Sequence, residues 1–139
     1  MTNGFTVAVL QEFFRAVSFE RGERPSYSTL RDLFIADGKL ITATGPVPDV
    51  ASVDEFIAPR QRAVESGALA WFEEVELDGV TEGFGNVAHR FSTYAKVGER
   101  DGVEFSGRGM ISTQFVRTPA GWRISSMAWD DERPGLALP

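Results

Sequence analysis

The C-terminal half of the chain reads as a succession of long β-strands. From about residue 83 to residue 132, apolar and polar side chains alternate with a period of two along several runs. This alternation predicts one sheet with two unlike faces. The segments with helical spacing all come earlier, so we expect helices to cover one side of the sheet and to form a layered α+β domain.

Three helices and five strands are predicted. The helices span about residues 6–20, 26–34 and 52–67, and the strands span residues 39–44, 69–77, 83–97, 103–117 and 122–130. Thr6 is the expected N-cap of the first helix. Ser52 and Glu55 have the spacing of a capping box at the start of the third. Turns are predicted at Asp78-Gly79 and at residues 99–102 and 118–121.

Composition narrows the class of protein. The chain has 139 residues, no cysteine and a net charge of −6 without a Lys/Arg cluster, which argues against nucleic-acid and membrane partners. Without cysteine, disulfides and thiolate metal sites are excluded. The first residues resemble neither a signal peptide nor a membrane span, so we expect a cytoplasmic protein. A single domain over residues 1–139 is expected, with its core at about 6–132 and an irregular tail at 133–139.

Three motifs carry a family resemblance. They are the Phe-Ile-Ala-Asp-Gly turn at 34–38 within LFIADGKLI, the strand GNVAHRFSTY at 85–94, and Gly-Trp-Arg-Ile at 121–124 within TPAGWRISSMAWDDE. With the order of elements, they make residues 6–132 similar to the nuclear transport factor 2-like superfamily, which includes SnoaL-like cyclases, ketosteroid isomerase and scytalone dehydratase. The resemblance implies a cone-shaped fold, with three N-terminal helices packed on a strongly curved, mixed but mainly antiparallel sheet. It also implies an apolar cavity and homodimers formed through the outer sheet face.

The catalytic sets known from this superfamily are incomplete in the chain. Isomerase chemistry would need a carboxylate base on the first strand, but residues 39–44 contain no Asp or Glu. Dehydratase chemistry would need paired histidines, and the chain has one histidine. No zinc-protease, nucleophile-elbow or phosphate-binding motif occurs, and no metal or cofactor is expected. The acidic runs at 73–78 and 130–132 are interpreted as solvated charges.

His89 is the best candidate for acid–base chemistry, because a neutral imidazole can both donate and accept a proton near neutral pH. The alternation places it with Val87 and Phe91 on the face assigned to the cavity. Asp32 could orient its ring, and Tyr27 could bond a ligand oxygen from the cavity lip. The alternatives are a structural histidine, a solvated Asp32 and a Tyr27 that only packs against the core.

Aromatic residues are abundant, with eleven Phe, three Trp and two Tyr, and this suits a wide apolar pocket. The predicted pocket-lining residues are Phe13, Phe34, Trp71, Phe91, Phe105 and Trp122. The opposite face mixes charged, hydroxyl and aromatic side chains, a composition typical of a homodimer interface; the alternative is an ordinary solvated sheet face. Its residues are Arg90, Ser92, Tyr94, Arg108, Ser112, Gln114, Arg123, Ser125 and Trp129. A bulge near Gly107 or Gly109 would reverse this assignment of faces.

Two functions are compatible with these patterns. One is a binding protein whose apolar pocket holds a small hydrophobic or aromatic molecule. The other is a cofactor-independent isomerase, cyclase or dehydratase with His89 as general acid/base and Tyr27 or Asp32 assisting.

Overall fold

The computed structural model describes the backbone of residues 2–139 and the side chains of residues 4–139. Helices and strands follow one another in a mixed order. In chain order they are α1 (Thr2–Val17), a 3₁₀ turn (Tyr27–Thr29), α2 (Leu30–Leu33), β1 (Phe34–Thr42), β2 (Asp49–Ser52), α3 (Val53–Ser66), β3 (Leu69–Phe84), β4 (Val87–Arg100), β5 (Val103–Thr118) and β6 (Gly121–Asp131).

The strands form one sheet in the order β2-β1-β6-β5-β4-β3. β1 and β6 are parallel, and the other neighbouring pairs are antiparallel. The expectation of a mixed, mainly antiparallel sheet in an α+β domain is therefore confirmed. β2 was not predicted, because the Gly-Pro-rich segment before it has the composition of a loop.

The third helix forms as its sequence predicts. Ser52 accepts a hydrogen bond from the Glu55 backbone N–H, and the Glu55 carboxylate accepts one from the Ser52 backbone N–H. Gly67 ends the helix in the left-handed conformation, with φ of 84°. The capping box and the glycine together fix where α3 sits above the sheet.

The first two helices differ from their predictions. α1 starts at Thr2, so Thr6 lies inside it rather than at its N-cap. The Thr6 side chain is buried, and its Oγ1 lies 2.7 Å from Thr81 Oγ1 on β3. The second helix is reduced to the 3₁₀ turn and the single turn of α2, because β1 already begins at Phe34.

Asp78-Gly79 is not a turn but part of β3, and the hairpin instead turns at Gly85-Asn86. A β-bulge between Glu76 and Asp78 accommodates one extra residue of β3 relative to β4. Gly79 is required for packing, since a Cβ atom there would lie 2.7 Å from the Arg90 guanidinium. The predicted turn at residues 99–102 is confirmed, with positive φ angles at Asp101 and Gly102.

The two faces of β4 are reversed relative to the prediction, whereas β5 buries the side that was predicted to be inward, with Ile111, Thr113 and Phe115 inside. Along β4, Ala88, Arg90, Ser92 and Tyr94 are buried beneath the helices, whereas Phe91 is 52% exposed on the outer face. The prediction failed because the buried face of this strand carries the polar residues.

A network of hydrogen bonds makes this reversal possible. The Arg90 guanidinium donates two hydrogen bonds to the Glu76 carboxylate, at 2.9 and 2.7 Å, and a third to Thr81 Oγ1 at 2.8 Å. Ser92 Oγ donates to the same carboxylate at 2.6 Å. A buried ion pair is tolerated when its donors and acceptors are satisfied in this way.

Candidate functional site

A cavity of about 560 Å³ lies between the helices and the inner face of the sheet. We call it the inner cavity. Helices α1 and α3 and strands β3 to β6 contribute to its wall. It is lined by Phe13, Val17, Tyr27, Phe56, Arg60, Leu69, Phe72, Glu74, Lys96, Arg100, Asp101, Val103, Phe105, Ile111, Met127 and Trp129.

Most of the wall is apolar and aromatic. Phe56 on α3 meets Trp129 on β6 edge to face, with ring centroids 6.0 Å apart. Phe72 and Phe105 stack with centroids 6.2 Å apart. The first pair joins α3 to the sheet and the second joins two strands of the sheet, and both present apolar ring surface to the cavity that they line.

Glu74 on β3 is an acidic residue that lines the inner cavity. It faces Lys96 across the β3–β4 pair, and Ser18 Oγ accepts a hydrogen bond from its backbone N–H at 3.0 Å. Within residues 4–139, its carboxyl group has no hydrogen-bond partner. Burial raises its pKa from 4.5 to about 7, although Lys96 and Arg60 act in the opposite direction. Glu74 keeps some accessible surface, which faces the cavity that it lines.

A second polar cluster stands beside Glu74. Lys96 Nζ donates a hydrogen bond of 2.8 Å to Asp131 Oδ2, and the Tyr94 hydroxyl donates to Asp131 Oδ1. Burial, together with the hydrogen bond to Asp131, raises the pKa of Tyr94. Lys96 is therefore already paired with one carboxylate, which leaves Glu74 without a partner of its own.

Two arginines and a tyrosine lie at the end of the cavity near the β4–β5 hairpin. The Arg60 guanidinium carbon sits 3.6 Å from the centroid of the Phe56 ring, and its Nη1 donates to the Phe56 carbonyl. Burial and the nearby Arg100 lower the pKa of Arg60. Burial also raises the pKa of Tyr27, while both arginines oppose that shift. Arg100 and Asp101 are exposed, so this end is the mouth of the cavity.

The predicted catalytic residues are not brought together. His89 lies on the outer face, half exposed, with Nε2 2.9 Å from Glu82 Oε1. It does not line the inner cavity, which corrects its predicted position. Asp32 is exposed on α2 and cannot orient that ring, because Glu82 holds it. Tyr27 does line the cavity, and its role stays a prediction.

Some of the predicted pocket-lining residues line the inner cavity and the others do not. Phe13 and Phe105 line the inner cavity. The other four lie elsewhere: Phe34 packs against Phe13, Trp122 packs against Phe5, Trp71 lines a groove at the end of α1, and Phe91 is exposed on the outer face.

Sequence reasoning missed Glu74, Lys96, Arg60 and Arg100. The acidic run at 73–78 was interpreted as solvated, although its alternation with Val75 and Leu77 offered a signal. Val75 is 44% exposed and Leu77 is 53% exposed, so these two side chains point outward, whereas Glu74 and Glu76 beside and between them point inward and are partly buried. The alternation was correct, and only the choice of buried face was wrong.

Among the described residues, no three His, Cys, Asp or Glu side chains are grouped so that they could hold a metal ion. No helix in the described part of the chain is long and apolar enough to cross a membrane.

Comparison with known proteins places the fold. No protein-family model and no curated protein matches the chain. Solved protein structures, however, match the chain in fold. A nuclear transport factor 2-like superfamily protein from Salmonella enterica serovar Typhimurium aligns with a TM-score of 0.78 and 11% identity, over 95% of this chain and 92% of the other. A similar protein from Cytophaga hutchinsonii gives a TM-score of 0.74 and 13% identity, over 95% and 99%.

A third structure, from Novosphingobium aromaticivorans, is described as nuclear transport factor 2-like with a cystatin-like fold. It aligns with a TM-score of 0.71 and 15% identity, over 94% of this chain and 81% of the other. Identities this low establish architecture and leave activity open. The resemblance seen in the sequence is thus confirmed: the chain has the nuclear transport factor 2-like fold.

Proposed function

We propose that the chain binds a small, largely apolar or aromatic molecule in the inner cavity. One observation carries the proposal: a space of about 560 Å³ is walled by aromatic rings and holds a few polar groups. Ligand sites commonly have volumes of roughly 300–1,000 Å³ and this mixture of an apolar wall with few polar groups. The solved structures support the proposal through their fold alone.

The direct test is native mass spectrometry of protein purified from its own host, followed by denaturation to release any bound molecule. Val103 lines the mouth of the cavity, so Val103→Trp should narrow it and reduce occupancy at least about tenfold. Val87→Trp is the matched control, because Val87 is a similarly exposed strand valine on the outer face. Equal occupancy in both variants would show that the molecule binds elsewhere.

A protein that purifies empty can be tested with added probes. Trp129 lines the inner cavity, so its fluorescence should change when naphthalene or biphenyl derivatives bind. Trp129→Phe identifies the part of the signal that comes from this residue. Absence of any response across such a probe set would contradict the proposal.

A second candidate function is proton-transfer catalysis, with Glu74 in the role that the sequence suggested for His89. The observation that favours it is an unpaired carboxyl group inside the cavity with a pKa raised to about 7, a value suited to a general acid or base at neutral pH. Glu74→Gln distinguishes the two functions. A catalyst should lose roughly 10²–10⁴-fold in rate while still binding, whereas a binding protein should change affinity by a few fold.

We also propose that the chain forms a homodimer through the outer face of the sheet. The support is a set of exposed apolar side chains on β3 and β4, namely Val75, Val80, Phe84, Val87 and Phe91. Exposed patches of this kind mark interaction sites. They replace only the β4 part of the predicted interface, Arg90, Ser92 and Tyr94, which is buried. The predicted β5 residues of that face, such as Arg108 and Gln114, are exposed. A solution mass showing only monomer at tens of micromolar would exclude the dimer.

A further inference from the structure

The mouth of the inner cavity holds two arginines that form no direct ion pair among the described residues, although Asp101 lies at the same mouth. Arg60 and Arg100 both line it, yet neither forms an ion pair within the part of the chain that the structure describes. The third cation, Lys96, is already bonded to Asp131. This is unexpected in a chain of net charge −6, where acidic partners are plentiful.

The donors of these arginines are also largely unused. Arg60 donates one N–H to the Phe56 carbonyl, and its guanidinium lies over the Phe56 ring in a cation–π contact. A guanidinium has five N–H donors arranged as a fork, which matches the two oxygens of a carboxylate. Arg60 is partly buried, so the stacked side chain is ordered before any ligand arrives.

We infer that the ligand of the inner cavity is an amphipathic anion, an aromatic body carrying a planar carboxylate that Arg60 and Arg100 hold at the mouth. This inference deepens the proposed function and rests on it. The apolar wall accommodates the body, and the arginines supply the charge. The Tyr27 hydroxyl, which lines the same end, is a further donor for the carboxylate.

The test compares aromatic acids with their primary amides: 2-naphthoic acid with 2-naphthamide, and biphenyl-4-carboxylic acid with its amide. Calorimetry at pH 6 should show each acid binding about tenfold to a hundredfold more tightly than its amide. Arg60→Gln and Arg100→Gln should each remove most of that preference, because acid binding should weaken far more than amide binding. Arg100 is exposed, so its variant keeps the test valid if Arg60→Gln folds poorly.

Arg108→Gln is the matched control for net charge. Arg108 is exposed on the outer face of β5 and pairs with Glu132, so this variant should keep the preference for acids. Equal binding of acids and amides would overturn the inference and leave the proposed function standing. Failure of every acid and every amide to bind would overturn both. An equal loss in Arg108→Gln would show a general charge effect and would also overturn the inference.

Discussion

Replacing Glu74 with Gln should stabilise the protein at alkaline pH and have little effect in acid. The pKa of Glu74 is about 7 in the folded protein, against an ordinary value of 4.5. Because the folded pKa is raised, stability is fully present below pH 4.5 and is lost as pH rises toward 7 and above. This difference in pKa corresponds to roughly 3 kcal/mol.

Gln reproduces the neutral carboxyl group at every pH, so the variant escapes this loss. Urea unfolding at pH 8.5 should show Glu74→Gln about 2–3 kcal/mol more stable than the parent, and the two should agree within about 1 kcal/mol at pH 5. For a chain of this size, the alkaline difference corresponds to a rise in Tm of roughly 10 °C.

The outcome depends on the balance of the charged groups that act on Glu74. Lys96 and Arg60 favour its ionised form, whereas burial and Asp131 oppose it. If the attraction to Lys96 outweighed burial, Glu74→Gln would destabilise the protein at pH 8.5, and the reasoning would be refuted. Glu73→Gln serves as the control, since Glu73 is the exposed neighbour and should change stability by less than about 0.5 kcal/mol at either pH.

Three further substitutions test the fold and the assignment of faces. Arg90→Met should cost about 3–5 kcal/mol in urea unfolding, because it leaves the Glu76 carboxylate buried without its main partner; a loss below 1 kcal/mol would show that the pair is solvated. Ser52→Ala should cost about 0.5–2 kcal/mol through loss of the capping box, and an unchanged midpoint would contradict the cap. His89→Ala should leave probe binding in the inner cavity within about twofold, measured by Trp129 fluorescence; a larger loss would place His89 in the site after all.

The parts of the fold that sequence patterns predict are those set by local chemistry. Ser52 and Glu55 specify the start of α3, and Asp101-Gly102 specifies a tight hairpin, because each signal acts within a few residues. Gly79 misled the prediction, since a glycine needed for close packing against Arg90 looks the same as a glycine needed for a turn.

The candidate site was less predictable for a related reason. A period of two identifies two faces but does not say which is buried when both carry apolar and polar residues. On β4, Arg90 is buried because Glu76 and Thr81 accept its hydrogen bonds. Ser92 donates to the same Glu76 carboxylate, and both acceptors of Arg90 lie on another strand. Only the tertiary pairing of β3 with β4 shows that Glu74 and Lys96 face the cavity.

The hydrogen bond between the Thr6 and Thr81 hydroxyls bears on the position of α1 above the sheet. Apolar contacts alone would not fix the position of α1 along the sheet, because two apolar surfaces can pack against each other in many registers. A directional bond between two short side chains permits one offset, and a slip of a single helical turn, about 5.4 Å, would break it. Phe13 and Val17 belong to the same helix and line the inner cavity. The Thr6–Thr81 hydrogen bond therefore also sets where these two side chains stand above the sheet, and so helps to set the dimensions of the cavity.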